Sequence, residues 1–347
     1  MNITQVGLDL AKTVFQVHGV DARGKAQLRK QLKRTQMVSF FTQLPPCLIG
    51  MEACGGAHFW ARKLSELGHT VRLIAPQFVK PYVKNNKNDA RDAEAICEAV
   101  GRPNMRFVPI KSTDQQALLG LHRARQGFVT ERTAQANQIR GLLTEFGVVM
   151  PAGIRAIERQ LPGILEDAEN GLSAVSRALF ARLLTHFRVL DCQVEELERQ
   201  ITLWHREDEA SQRLQVIPGI GPLTASALVA SVGDARVFRS ARQFAAWLGL
   251  VPRQSSTGGK TNLLGISKRG DVYLRTLLIH GARSLLVNLK RHPDRLEGWL
   301  ARVAARRNAN IAAVAMANKN ARIVWALLAH GRDYQAGYRS APIAATA

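Results

Sequence analysis

"VGLDLAKTVFQVHGVD", Val6–Asp21, is the stretch on which the reading of this chain turns. Short apolar runs bounded by turn formers predict a buried strand over Ile3–Leu10 and a second over Val14–Val20. Asp9 interrupts the first run. A carboxylate there carries a desolvation cost unless it is paired or bound to a metal. The five residues that follow, "DARGK" over Asp21–Lys25, predict a hairpin into a third strand at Ala26–Lys30.

Working outward, Thr35–Leu44 predicts a helix, "CLIGME" (Cys47–Glu52) a strand, and Ala57–Leu67 a helix stopped by Gly68. Thr70–Ala75 reads as a strand, and Asn88 as the cap of a helix running to Val100. Hairpin strands followed by alternating helices and strands predict a mixed α/β sheet domain covered by helices. From Thr113 to Gly147, and again from Leu172 to Arg206, the pattern becomes long and helical. In the second stretch Leu179, Leu183, Phe187, Leu190, Val194, Leu197, Ile201 and Trp204 recur three and four apart. That is a heptad seam for another helix, in this chain or in a partner, with the turn expected around Pro151 and Pro162. "VIPGIGPLTASALVASVG", Val216–Gly233, predicts a helix-hairpin-helix. "PRQSSTGGK", Pro252–Lys260, reads as a flexible loop, and Pro293–His330 as an arginine-rich helical stretch. The expected organisation is a sheet domain at 1–111, a long-helix coiled-coil region at 112–210, a mainly helical domain at 211–332 and a tail at 333–347.

The 347 residues carry 48 Lys+Arg against 27 Asp+Glu, a net charge of +21. That excess points to a polyanionic partner, DNA or RNA first. The four cysteines form no C-x-x-C pair and no zinc spacing, which predicts reduced thiols. No apolar run approaches a membrane span and no signal-like segment opens the chain, so a cytoplasmic protein is expected.

Four acids deserve a joint reading. Asp9 and Glu52 lie on or at the end of predicted strands; Asp89 and Asp92, in "NDARDAEAI", share one helical face. Separately, each could open a turn, cap a helix or favour a helix N-terminus. Together on a basic chain they suggest oxygen ligands for Mg²⁺ (or Mn²⁺), which could clamp the oxygens of a phosphodiester.

"GLDLAKTVFQV", "GMEACGG" and "KNDARDAEAI" resemble the N-terminal domain of DEDD-type insertion-sequence transposases, relatives of the Piv DNA invertases. The resemblance implies an RNase H-like, RuvC-like domain and carries the D-E-D-D set onto Asp9, Glu52, Asp89 and Asp92. Lys12 and the segment Lys84–Asn88, with Lys87, also match and are expected near nucleic acid. The C-terminal half resembles the family's transposase domain, which supplies a catalytic serine that attacks a DNA phosphate. Ser256 fits the family spacing; Ser255 remains the alternative. Gly219 and Gly221 are expected to bring backbone N–H groups to a phosphate. Lys260, Lys268, Arg269 and Arg275 are expected phosphate contacts, with Arg302, Arg306, Arg307 and Lys319 as a further basic patch. The resemblance further implies donor and target DNA and a guide noncoding RNA as partners. The heptad helix suggests a homodimer or higher homo-oligomer. The rivals are a structure-selective metal nuclease without serine chemistry, a non-catalytic nucleic-acid scaffold and, faintly, an actin-like ATPase for which no second phosphate loop is found.

Overall fold

The structure, a computed structural model, describes residues 2–83, 89–291 and 298–336. It divides into two compact units, Met1–Thr113 and Asp114–Ala347.

The first unit is built on a sheet. β1 (Gln5–Leu10), β2 (Val14–Val20) and β3 (Ala26–Lys33) form an antiparallel meander. The β2–β3 turn is closed by Asp21, whose carboxylate accepts from the backbone N–H of Arg23 (2.9 Å) and Lys25 (3.0 Å). α1 (Met37–Gln43) leads to β4 (Leu48–Glu52), α2 (Ala57–Glu66) to β5 (Thr70–Ile74). The short α3 (Pro76–Val79) precedes α4 (Asp89–Val100), and β6 (Phe107–Val108) adds an edge. The order is β3-β2-β1-β4-β5-β6, with β4 parallel to β1 and β5, and β6 antiparallel to β5. This mixed sheet is consistent with an RNase H-like fold. Strand periodicity sorts its two faces. Val6, Leu8, Phe15, Val17, Leu32, Ile49 and Met51 are buried in one core with Phe41, Trp60 and Leu64 of α1 and α2.

The other face of β1 and β4 is cut down to glycine where α4 crosses it. Gly7 and Gly50 are register partners on the parallel pair. A Cβ on Gly7 would collide with the Ala93 carbonyl oxygen and lie 2.7 Å from Cys97 Cβ; one on Gly50 would lie 2.7 Å from Val100 Cβ. α4 therefore sits closer to the strands than any side chain would permit. Gln5 fastens it there, its amide donating to the Cys97 carbonyl.

The second unit takes up the long helices α5 (Thr113–Thr144), α6 (Ile154–Glu166) and α7 (Ala174–Glu207). At 34 residues α7 is about 50 Å long. It packs within the chain: Phe180, Leu184 and Phe187 share a core with Ala136, Ile139 and Leu143 of α5 and Ile157 and Leu161 of α6. Arg125–Glu198 and Arg132–Asp191 ion pairs cross between α5 and α7. The predicted seam is offset in its first turns. Leu179 is 46% exposed, while Phe180 and Leu184 are the buried residues; from Phe187 through Leu190, Val194 and Ile201 the prediction coincides with burial. Pro162 is not a turn residue but lies inside α6.

α8 (Glu209–Gln215), α9 (Pro222–Val232) and α10 (Ala241–Trp247) precede a ribbon, β7 (Pro252–Thr257) and β8 (Lys260–Ile266). α11 (Val272–Arg291), α12 (Trp299–Arg306) and α13 (Ala309–His330) complete the described helices. The single last helix expected from Pro293 is thus broken at Arg307–Asn308, where Asn308 caps α13 by accepting from the Ile311 N–H. Buried His122 links α5 to two neighbours, 3.0 Å from the Tyr273 hydroxyl and 3.1 Å from that of Ser226. Burial first, then the Arg125 charge, pushes its pKa down to about 4, so the ring is neutral.

Candidate active site and nucleic-acid interface

The glycine contact just described sets the height of α4, and with it the acids. Asp9 is two residues beyond Gly7 on the same strand face; Asp89 and Asp92 occupy the first turn of α4. One carboxylate oxygen from each of Asp9, Asp89 and Asp92 lies within 4.8 Å of the others. Asp9 and Asp92 are half-buried and Asp89 is exposed. Glu52 ends β4, one step past the Met51–Leu8 pairing. It stands beside the three rather than among them, close enough for its charge to act on Asp9.

Among the described residues, acids dominate the charges that act on Asp9. Burial is the first cause that pushes the Asp9 carboxyl up to about 6; the charges of Asp92, Asp89 and Glu52 add to it, and a hydrogen bond from the Leu10 backbone opposes it. Three converging carboxylate oxygens match what a hard divalent cation accepts as ligands. Burial, then the charges of Glu52 and Asp9, pushes the thiol of nearby Cys54 up.

The expected phosphate contacts divide. Lys12 is exposed in the turn after β1. Lys87 and the expected cap Asn88 lie outside the described residues. Gly219, at φ +85°, faces the backbone of Gly281 in α11, where an added Cβ would be 3.0 Å from the Gly281 oxygen, so packing alone requires it. Gly221 is different: it caps α9, no side chain caps that N-terminus, and a Cβ there would meet open space. Lys268 and Arg269 are exposed on a tight turn, with Lys268 at φ +54°, a left-handed conformation that costs a non-glycine residue about 1 kcal/mol or more.

Arg275 is a correction. It is 7% exposed, and its guanidinium donates to the Leu248 carbonyl (3.0 Å) and the Arg269 carbonyl (2.9 Å). It shapes the Lys268 turn from beneath and does not face solvent. Sequence alone shows a positive charge but not which side of a helix is covered.

"PRQSSTGGK" is likewise not a loop. It is a ribbon turned by Gly258 and Gly259, both at positive φ, as a two-residue hairpin connection requires. Every residue of β7 is exposed. Ser256 pairs with Thr261 and Ser255 with Asn262, so the two hydroxyls lie on opposite faces of the ribbon. Gln254, on the Ser256 face, donates its amide to Ser256 Oγ at 2.7 Å. Lys260 opens β8 and is exposed. Of the further basic patch, Arg302, Arg306 and Arg307 are exposed, while Lys319 lies 5.0 Å from the Trp299 ring centre.

Among the described residues no helix is long and apolar enough to cross a membrane. Residues 6–148 match a DEDD-type family model described as "Transposase", and residues 211–296 match one described as "Transposase IS116/IS110/IS902 family". A "Probable family 20 transposase" of Pseudomonas aeruginosa is 56% identical, over 97% of this chain and 100% of the relative. The "Transposase for insertion sequence element IS1328" of Yersinia enterocolitica is 47% identical, over 95% and 98%. The "Transposase for insertion sequence element IS1111A" of Coxiella burnetii is 46% identical, over 97% and 92%. A DEDD domain implies dependence on a divalent metal in general. This chain belongs to the IS110/IS116/IS902 family of insertion-sequence transposases, enzymes that cut and join DNA.

Proposed function

We propose that the chain mobilises its insertion sequence with Mg²⁺ (or Mn²⁺) at Asp9, Asp89 and Asp92, Glu52 completing the set, and with Ser256 as nucleophile. The observation that carries the reading is the convergence of three carboxylate oxygens within 4.8 Å in a DEDD domain. A divalent ion held there would offset the repulsion and polarise a phosphodiester oxygen. The protein's own part in the cut is simple. Ser256 Oγ bonds to phosphorus as the bond from phosphorus to a deoxyribose oxygen breaks, and that oxygen leaves as a hydroxyl. The serine proton passes to a carboxylate base, since a serine hydroxyl is a weak nucleophile unaided, and the protonated carboxyl then gives it to the leaving oxygen. Attack by another strand's hydroxyl on the phosphoserine rejoins the DNA and frees the serine.

In this reading the first unit is RuvC-like and the protein is related to the Piv invertases. It works in the cytoplasm as a homodimer or higher homo-oligomer, on donor and target DNA, with a guide noncoding RNA. The turn before α9 at Gly221, with Lys12, Lys260, Lys268 and Arg269, positions backbone phosphates without reading sequence. Denaturing a DNA reaction and mapping the adduct tests the chemistry: a phosphodiester on Ser256 is expected. Calorimetric titration with Mn²⁺ tests the acids: Asp9→Asn should lose the wild-type response.

A second reading, a structure-selective nuclease that uses water, is favoured by one observation. The partner of Ser256 Oγ on the ribbon is the Gln254 amide, which is not a base. Undiminished cleavage by the Ser255→Ala, Ser256→Ala double variant, with no adduct, would select it.

A further inference from the structure

The face of the sheet that carries Asp9 continues past it onto β2 and β3. Asp9 pairs with Gln16, which pairs with Gln31; Gly7 pairs with His18, which pairs with Arg29. Strand alternation therefore puts Gln16, His18, Arg29 and Gln31 on the acids' side of the sheet, beyond the edge of α4. Between them and Ala90, Arg91 and Glu94 of α4 lies a cavity of about 360 Å³. It adjoins the acid cluster: Gln16 is the direct cross-strand neighbour of Asp9, and Arg91 the chain neighbour of Asp92.

Its lining is polar and chemically directed. Arg29 and Gln31 are exposed on an edge strand, while His18 forms a floor that is 6% exposed. Burial lowers the His18 pKa, and the Arg29 charge lowers it further against the opposing effect of Glu94, so the floor is neutral. Lys30 also borders the cavity, but its ammonium sits over the Phe40 ring, 5.2 Å from the centroid. Arg29 and Arg91 against Glu94 leave the cavity net positive beside the cluster of three acids and Glu52. Carboxamide donors, a guanidinium fork and room for a nucleotide are what a phosphodiester in that place requires.

We propose that this cavity between β2, β3 and α4 binds a backbone phosphate of a polynucleotide strand next to the one being cut. Gln16, Arg29 and Gln31 hold it. The site rests on the catalytic reading of the neighbouring acids, and it adds a way to hold an anionic strand against their repulsion. Arg29 is a positioning residue here and takes no part in bond breaking.

The test uses the full chain and a labelled single-stranded DNA oligonucleotide, with an RNA of the same sequence in parallel. Affinity is read by anisotropy across a salt series. Arg29→Gln is expected to weaken binding about fivefold and reduce the salt slope by about one. Gln31→Glu, which places a negative charge in the cavity, should weaken it more. Arg23→Gln makes the same charge change in the exposed β2–β3 turn and serves as the matched control. Loss for DNA, RNA or both supports the site and names the strand. Arg29→Gln and Gln31→Glu variants that bind both strands no worse than Arg23→Gln overturn it. Mn²⁺ titration separates the two ideas: the cavity variants should keep the wild-type isotherm. A wild type that shows the oligonucleotide effects yet neither metal response nor cleavage would sink the catalytic reading and leave the cavity standing.

Discussion

The acid cluster and the serine ribbon carry the two halves of the proposed chemistry and are built in opposite ways. Asp9, Asp89 and Asp92 are placed by close packing: α4 rests on Gly7 and Gly50, and a buried core lies on the far side of the strands. Ser256 is placed by a hairpin with no buried residue on β7, its shape fixed by the cross-strand ladder to β8 and the Gly258–Gly259 turn. Packed cores hold geometry to fractions of an ångström, whereas exposed two-stranded ribbons are marginal alone. The acids are therefore prepared before substrate arrives. In the proposed chemistry the ribbon would take its final position from the strand it binds.

Four substitutions or conditions would break or sharpen that contrast. The largest effect is expected at Asp9. Asp9→Asn should lower DNA cleavage by about a thousandfold, the loss of several kcal/mol of charge stabilisation, while the fold persists; near-normal cleavage would remove Asp9 from the site. Next comes the helix contact. Gly7→Ala forces α4 outward against backbone atoms and should cost about 1–3 kcal/mol or more, read as a lowered Tm together with weaker Mn²⁺ binding. The matched change in the ribbon, Gly259→Ala, strains one turn residue in open space and should cost about 1 kcal/mol locally. It should leave the Tm and metal binding alone while slowing adduct formation. Equal Tm losses from the two would contradict the contrast.

The smallest effect is in pH. With its pKa raised to about 6, Asp9 binds its proton more tightly in the folded than in the unfolded chain. Its contribution to metal-free stability is thus complete below the ordinary carboxylate range and is lost as pH rises through about 6. Metal binding needs the carboxylate, so Mn²⁺ affinity should climb over the same interval, and the metal should remove the stability loss. A flat affinity between pH 5 and pH 7 would contradict the shared site.

The same contrast governs what could be read from the sequence. The meander, the β4 strand and the α4 acids were legible because buried strands alternate and bounding turns carry Asp and Gly. How closely the acids converge was not, since that depends on how near α4 can come, and this is decided by two glycines with no chemistry of their own. Their signal was there: Gly7 and Gly50 each interrupt an apolar strand run. The ribbon was read as a loop because its strands are exposed on both faces and show no apolar alternation, although Gly-Gly between two extended runs is a hairpin signal. Arg275 was read as surface because charge outranked position; its burial follows from Leu274 and Leu278 facing the core on the same helix. The polar cavity on β2 and β3 was invisible until the strand pairing set Gln16 and Gln31 side by side.

Because strand side chains alternate, a hairpin that slipped by a single position would expose the neighbouring hydroxyl, Ser255, on the side now offered by Ser256. In the proposed serine chemistry, a one-residue slip of β7 against β8 would redirect the attack from one serine to the other.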